Sequence, residues 1–463
     1  MDDTTDAAAG QAGQAAGQAR GPGDPAVTVA RAVTIVGIGE DGWEGLGQGA
    51  RDALRSAPVI VGSPRQLALL PDLGVRCEPL PSPLLENLDS LVRDNPGLCL
   101  LASGNPMLHG IGATLARGID PARLTVFPAA SSVALACARL GWPEHEVEVV
   151  TLVAQPPEAA LAPMRPGARV VLLCRDGATP AAVARLLTEA GWGDSELTVL
   201  ERLGGPAERV LDPVRARDLA AGPSAAGGET TADEPAAGTA ATGAGRADAE
   251  RPFADLCVVA VRPRASAGPL ADGTLAAGRL PGLPDAAFET DGQITRRELR
   301  VLALAALRPG PGERLWDVGA GSASISIEWL RAEPLARAIA IEARADRCER
   351  AGRNAAALGV PGLSLICGRA PEALAGLPAP DAVFIGGGLT GDGVLEACWQ
   401  ALRPGGRLVA HAVTVESEAV LHRWQQAHGG QLVRAALSYA EPLGSFTTWR
   451  PALPVVQWQV SRG

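Results

Sequence analysis

Aromatic side chains are scarce in this sequence. Phe, Trp and Tyr together make only 3% of the 463 residues, so aliphatic side chains must fill the cores. Basic runs are missing too. The net charge is −10, the pI is about 5.2, and no Lys/Arg-rich stripe of the kind that tracks nucleic acid occurs. The eight cysteines (Cys77, Cys99, Cys137, Cys174, Cys257, Cys348, Cys367 and Cys398) form no CxxC pair, and most sit in apolar runs, so buried reduced thiols are expected. The five histidines show neither HxH nor HExxH spacing, so no protein-bound metal is expected. No run of about 18 apolar residues exists to span a bilayer. The N-terminus opens acidic and has no apolar core of a signal peptide. A cytoplasmic enzyme without membrane or nucleic-acid partners is the expectation, and an acidic surface leaves room for an anionic small substrate met by a few arginines.

What the chain does contain is enough apolar material, 47%, for two domains. Residues 1–30 are rich in Ala, Gly and Gln and are expected to be disordered. A second low-complexity run covers about 221–250. It invites reading as an interdomain linker. However, Phe253–Val261 is a strand that needs a sheet, and the incomplete sheet lies upstream. That run is therefore expected to be an insertion, and the Pro/Gly-rich stretch 264–285 the boundary. Region 31–263 alternates short apolar strands with helical patterns and reads as α/β with two subdomains. Region 286–463 reads as a βαβ series. An amphipathic helix over Gln293–Leu307 precedes strand Arg314–Val318, a glycine turn and helix Ser324–Arg331. Strand Ala338–Ile341 ends in Glu342, helix 345–358 follows, and strands near 363–367, 381–385 and 407–412 complete a doubly wound sheet.

Two glycine-rich strand-to-helix turns stand out. The first, Gly37-Ile38-Gly39-Glu40-Asp41-Gly42, is a literal GxGxxG. The strand after it ends in Gly62-Ser63 with no acid for ribose hydroxyls. A dinucleotide loop, a tight turn without ligand, and a substrate or cofactor loop of another fold all remain open there. The second runs from Asp317 through Gly319, Ala320, Gly321, Ser322 and Ala323 to Ser324. Glycines there let backbone N–H groups approach a ligand, and Glu342 at the next strand end can accept hydrogen bonds from a ribose. This pattern indicates a nucleoside cofactor. Spacing alone does not separate a nicotinamide dinucleotide from S-adenosylmethionine, and a solvated strand terminus also fits Glu342.

The stretches VTIVGIGEDG (33–42), LASGNPMLHGIGATL (101–115), FPAASSVALACARLGW (127–142), VVLLCRDGATP (170–180) and ERLGGPAERV (201–210) resemble the tetrapyrrole methylases, in particular those acting on corrin C5. The resemblance implies a two-subdomain fold with S-adenosylmethionine between the subdomains. Carried over by position, Ser103, Gly104, Asn105, Leu108, Ser131 and Ser132 would touch that cofactor, and the loop holding Gly37 and Gly39 would face the macrocycle. Asn105 stands where the family commonly has Asp, and Glu40 where it often has Pro. The stretches DGQITRRELR (291–300), LWDVGAGSASISIEW (315–329), AIAIEARADR (338–347), GRAPEAL (368–374), DAVFIGGGLT (381–390) and LRPGGRLVAHAVTVES (402–417) resemble the corrin C15-methyltransferases that also decarboxylate the ring C acetate, at C12. This implies a Rossmann-like class I methyltransferase sheet, with Thr295, Gly319, Ala320, Gly321, Ser322, Ala323, Glu342 and Ala370 lining S-adenosylmethionine. Ala323 replaces a common Gly.

Together the two resemblances imply methylation of a corrin precursor at C5 and C15 with decarboxylation, in cobalamin biosynthesis, by a homo-oligomeric protein. No Ser/His/Asp or Cys/His constellation is apparent, which suits methyl transfer, where alignment and exclusion of water are what the protein must supply. Arg296, Arg297 and Arg300, next to Thr295, are candidates for binding substrate carboxylates; a solvated helix face is the competing reading. An NAD-dependent oxidoreductase, and a C15 enzyme whose first domain only binds substrate, are the competing functions.

Overall fold

The computed structural model describes residues 33–222, 253–266 and 278–463. The expected tail 1–30, most of the 221–250 run and part of the 264–285 boundary lie outside these residues. Three sheets organise the rest.

The first sheet has the order β3-β2-β4-β1-β5. Its strands are β1 (Val33–Ile38), β2 (Val59–Gly62), β3 (Arg76–Pro79), β4 (Cys99–Ser103) and β5 (Leu124–Phe127), all parallel. Continuous apolar runs such as Val59-Ile60-Val61 suit strands buried on both faces. Parallel pairing brings the loops after β1, β2, β4 and β5 to one edge, where ligands of open α/β sheets bind.

The second sheet comprises β6 (Val147–Thr151), β7 (Arg169–Leu173), β8 (Glu196–Glu201), β9 (Arg209–Val210), β10 (Val214–Arg215) and β11 (Cys257–Arg262). The order is β10-β8-β11-β7-β6, with β9 on β8. The strand after the low-complexity run, β11, lies between β8 and β7 and pairs antiparallel with both.

The third sheet holds β12 (Arg314–Val318), β13 (Arg337–Glu342), β14 (Ser364–Cys367), β15 (Ala382–Ile385), β16 (Arg407–Ala412), β17 (Gln431–Ala435) and β20 (Val455–Ser461), in the order β14-β13-β12-β15-β16-β20-β17. β14 through β16 are parallel; β20 and β17 extend the sheet antiparallel. The hairpin of β18 (Ser438–Leu443) and β19 (Phe446–Pro451) stands apart from it. The sheet is thus doubly wound with an antiparallel edge, which the sequence reading did not include.

Two further expectations need correction. The helix expected from Gln293 begins only at Arg297, because Arg296 is extended (ψ 150°), so residues 293–296 form a loop over the sheet edge. The cysteines are not all reduced: Cys348 and Cys367 are joined as a disulfide between helix Ala345–Ala357 and β14, and Cys77 is exposed. Cys99, Cys137, Cys174, Cys257 and Cys398 are free and buried.

Candidate functional site

The C-terminal edge of the third sheet opens into a cavity of about 770 Å³, a size that suits a small-molecule site. Its walls follow the strand order. Gly368, Arg369 and Ala370 come after β14, Glu342 ends β13, Asp317 to Ser322 follow from β12, Gly386 to Gly388 leave β15, and His411 stands on β16; Thr295 and Arg296 close the cavity from the loop before the helix Arg297–Leu307. Among the residues expected at the cofactor, Thr295, Gly319, Ala320, Gly321, Ser322, Glu342 and Ala370 all line it.

The glycine turn has the shape it has because two backbones nearly touch. A Cβ on Gly319, at φ +71°, would lie 2.6 Å from Gly387 Cα, so the turns after β12 and β15 can pack together only through glycine. Ala323 is also left-handed (φ +57°), as the residue preceding helix Ser324–Ala332. The effect of Ala where Gly is common is therefore on the backbone, a strained αL residue, rather than on the bulk of a methyl that is fully buried.

Glu342 is 5% exposed and is not a solvated strand end. Its Oε2 accepts from Gly321 N–H at 2.9 Å and its Oε1 from Arg344 N–H at 3.0 Å. The carboxylate thereby holds the glycine turn, and each oxygen keeps lone pairs for a second donor in the cavity. Asp317 lies beneath the turn. Burial pushes its carboxyl from 3.8 up to about 6, against the Ser326 hydroxyl and N–H that donate to Oδ2, while the charge of Glu342 pushes in the same upward direction as burial.

The three arginines separate. Arg296 is exposed, pairs with Asp285 at 3.3 Å and reaches the cavity. Arg297 begins the helix on its exposed side and is not among the residues lining the cavity. Arg300 satisfies neither expectation for it: it is 0% exposed, so it is neither a solvated residue nor a free carboxylate binder. It donates to Glu328 at 3.0 Å, Asp285 at 2.7 Å, the Thr295 carbonyl at 2.6 Å and the Leu283 carbonyl. Its role is to tie the segment 283–295 to the helices beneath.

His411 was not singled out by sequence reasoning. It shares a face of β16 with Val409, sits edge-on to Phe384 with ring centroids 5.0 Å apart, and makes a 2.9 Å hydrogen bond from Nε2 to Gln457 Oε1. Burial holds its imidazole below the ordinary value, with the Gln457 bond pulling the other way. A polar residue inside the buried run Leu408-Val409-Ala410-His411-Ala412 was the available signal.

At the first sheet, Ser103, Gly104 and Asn105 leave β4 beside the Ala129–Ser131 segment after β5. Gly104 (φ +57°) lies so close that a Cβ would come within 3.0 Å of Ala130 O. Ser131 caps helix Ser132–Leu140, its hydroxyl accepting from Ala134 N–H at 3.0 Å, and Ser132 opens that helix. Asn105 Oδ1 accepts from Met107 N–H at 3.0 Å, and Leu108 packs on the core around Val133 and Trp142. The structure therefore brings these six residues to one edge. Gly37 is buried within β1, where a Cβ would collide with Gly104 O at 2.0 Å. Its place is taken up by protein backbone. Gly39 is half-buried against Asp41. A cluster that sequence reasoning missed joins the loops after β1, β2 and β4: Arg65 pairs with Glu40 and donates to Ser103 Oγ at 2.9 Å, and Gln66 donates to the same hydroxyl at 3.1 Å.

No described helix is long and apolar enough to cross a membrane, and no cluster of three or more metal-ligating side chains occurs among the described residues. Burial pushes the thiols of Cys99 and Cys398 up to about 12, which removes them as nucleophiles.

Two family descriptions match the chain: "Tetrapyrrole (Corrin/Porphyrin) Methylases" over 32–220 and "Precorrin methyltransferase domain" over 286–462. Among curated proteins, the precorrin-6Y C(5,15)-methyltransferase [decarboxylating] of a Sinorhizobium species is 43% identical over 95% of this chain and 98% of its own length. Its namesake from Mycobacterium tuberculosis is 45% identical over 93% of this chain and 100% of its own. The chain belongs to the precorrin-6Y C5,15-methyltransferase (decarboxylating) family. A solved C-terminal domain of a precorrin-6Y C5,15-methyltransferase, from Rhodobacter capsulatus, is 48% identical and covers 40% of this chain and 100% of its own, with a TM-score of 0.38. As a member of the precorrin-6Y methyltransferase family, the chain carries both methylase regions in one polypeptide, which makes the two sheet edges described above two separate candidate sites.

Proposed function

We propose that this protein methylates a corrin precursor twice, at C5 and at C15, and decarboxylates the ring C acetate in cobalamin biosynthesis, with S-adenosylmethionine as methyl donor. The observation that carries the reading is the cavity over β13–β12–β15, where a buried carboxylate, Glu342, is held against a glycine turn that a side chain would block. Membership of a methyltransferase family supports S-adenosylmethionine over a nicotinamide dinucleotide there. Bound S-adenosylmethionine supplies an electrophilic methyl carbon.

The residues present fit such a ligand. Glu342 would take the ribose hydroxyls, Gly319 to Ser322 would let the ligand lie close against backbone that carries almost no side chain, Ala323, which is buried and outside the cavity lining, would hold the turn from beneath, and Ala370 and Thr295 would flank the nucleoside and the methyl-bearing end. Arg296 is placed to meet a carboxylate of the macrocycle. Arg297 would reach one only beyond the cavity. Ser103, Gly104, Asn105, Leu108, Ser131 and Ser132 would serve the C5 donor at the first sheet, with Gly39 on the macrocycle side and Gly37 keeping the two loops in contact. The protein's work at both sites is alignment and exclusion of water. The reading further includes the 31–263 and 286–463 division, cytoplasmic location and homo-oligomers.

The test is mass spectrometry of the product of the full chain with precorrin-6Y and S-adenosylmethionine. Two added methyl groups and one lost carbon dioxide are expected, and Glu342→Ala should leave a singly methylated product that keeps its acetate. A wild-type product with one methyl and the acetate intact would overturn the reading.

A further inference from the structure

Decarboxylation at the C15 site needs proton movement, and the cavity holds few groups able to provide it. The titratable and charged side chains that line it are Asp317, Glu342, Arg296, Arg347, Arg369 and His411. Guanidinium groups do not give up protons at neutral pH. Glu342 is occupied by two backbone N–H groups, and Asp317 is 1% exposed beneath the turn and bonded to Ser326. His411 differs from all of these. Among the described residues its only hydrogen-bond partner is Gln457, through Nε2.

A run of side-chain amides holds one nitrogen of the imidazole. Gln457 Nε2 donates to Gln459 Oε1 at 3.0 Å, and Gln459 Nε2 donates to Gln431 Oε1 at 2.7 Å. The imidazole thus meets this run through Nε2, and Nδ1 is the ring nitrogen with no protein partner among the described residues. Position agrees with this. Along the sheet edge Glu342 marks the nucleoside side on β13, β12 and β15 follow, and His411 on β16 lies beyond them, on the side left for the methyl acceptor.

We propose that His411 is the proton carrier of the decarboxylation half-reaction, moving one proton through Nδ1 from the macrocycle to the carbon that loses carbon dioxide. This rests on the proposed C15 methylation and decarboxylation in the same cavity. Forming the methyl–C15 bond while the methyl–sulfur bond breaks leaves the conjugated macrocycle cationic. Breaking the bond between the acetate methylene and its carboxylate sends the electron pair into that cation, releases carbon dioxide and leaves a neutral macrocycle with an exocyclic methylene. Turning the methylene into a methyl requires one proton lost from a ring nitrogen of the macrocycle, where it exchanges with solvent, and one gained at the terminal carbon. A neutral imidazole does both and ends unchanged, so no co-reactant is needed.

The experiment uses the full chain, precorrin-6Y and S-adenosylmethionine in deuterated water. Wild type should place deuterium in the new ring C methyl. In His411→Asn and His411→Ala that incorporation should slow by about 10²-fold, the ordinary scale of acid–base assistance, with a decarboxylated methylene species building up under its own absorption spectrum. Added imidazole should restore the rate in His411→Ala, and S-adenosylhomocysteine affinity should hold in both variants. Wild-type deuterium incorporation in His411→Asn, or a slow His411→Ala that imidazole fails to rescue, would overturn the assignment. A wild-type chain that binds S-adenosylhomocysteine but neither methylates nor releases carbon dioxide would instead sink the proposed function on which it rests.

Discussion

Replacing Glu342 separates its two structural duties. Its oxygens accept one backbone N–H each, at 2.9 and 3.0 Å, in a site that is 5% exposed. A hydrogen bond to a charged group contributes about 1.5–3 kcal/mol. Loss of the proposed ribose contact in Glu342→Ala should therefore weaken S-adenosylhomocysteine binding about 10- to 150-fold. Glu342→Gln should do no better, because an amide NH2 would face either Gly321 N–H or Arg344 N–H, donor against donor. Isothermal titration of the full chain checks this. The wild type should show two sites, and both variants should lose one from the working range while the other stays unchanged. The ligand-free variants should also melt earlier, since the glycine turn loses its anchor. Two undisturbed sites in both variants would refute the placement of the cofactor against Glu342.

Other outcomes follow from buried charges and close backbones. Asp317 keeps its proton up to about 6 when folded and releases it near 3.8 when unfolded, so its favourable contribution is complete below 3.8 and disappears as pH rises through about 6. That difference is on the order of 3 kcal/mol; urea denaturation at pH 4 and 7 should show wild type losing this much relative to Asp317→Asn, which cannot titrate. Arg300→Ala strips the cation from Glu328, itself 2% exposed, and should cost about 3–5 kcal/mol in chemical denaturation, with part recovered on adding Glu328→Gln. Gly319→Ala should abolish binding at the C15 site while the C5 site still titrates, because its Cβ would have to displace Gly387.

The parallel core of the third sheet was legible because its strands are unbroken apolar runs separated by amphipathic helices. The antiparallel edge was not. β17 is half-buried or exposed, and in β20 the glutamines Gln457 and Gln459 interrupt the apolar run although Gln457 is buried, so neither strand carries the unbroken apolar pattern of the parallel core. Loops holding Thr295, Gly319 and Glu342 could be read because glycine and a strand-end acid leave local marks. Arg300 was misread although a signal existed: it lies three, four and seven residues before Ala303, Leu304 and Leu307, on the buried stripe of its helix. The Arg65–Glu40–Ser103 cluster and the His411–Gln457 contact join residues far apart in sequence, and only the strand order brings them together.

The position of β11 bears on how this protein can be made and cut. β7 and β8 never pair with each other, since a strand from residues 257–262 fills the slot between them. A fragment stopped at residue 220, where the first family match ends, would display two facing rows of unpaired backbone groups beside Val171, Leu172, Val199 and Leu200. Such open edges invite strand exchange between molecules. During synthesis the same slot stays vacant until residue 262 has emerged, so the second sheet can close only then, by a contact made across a long stretch of chain.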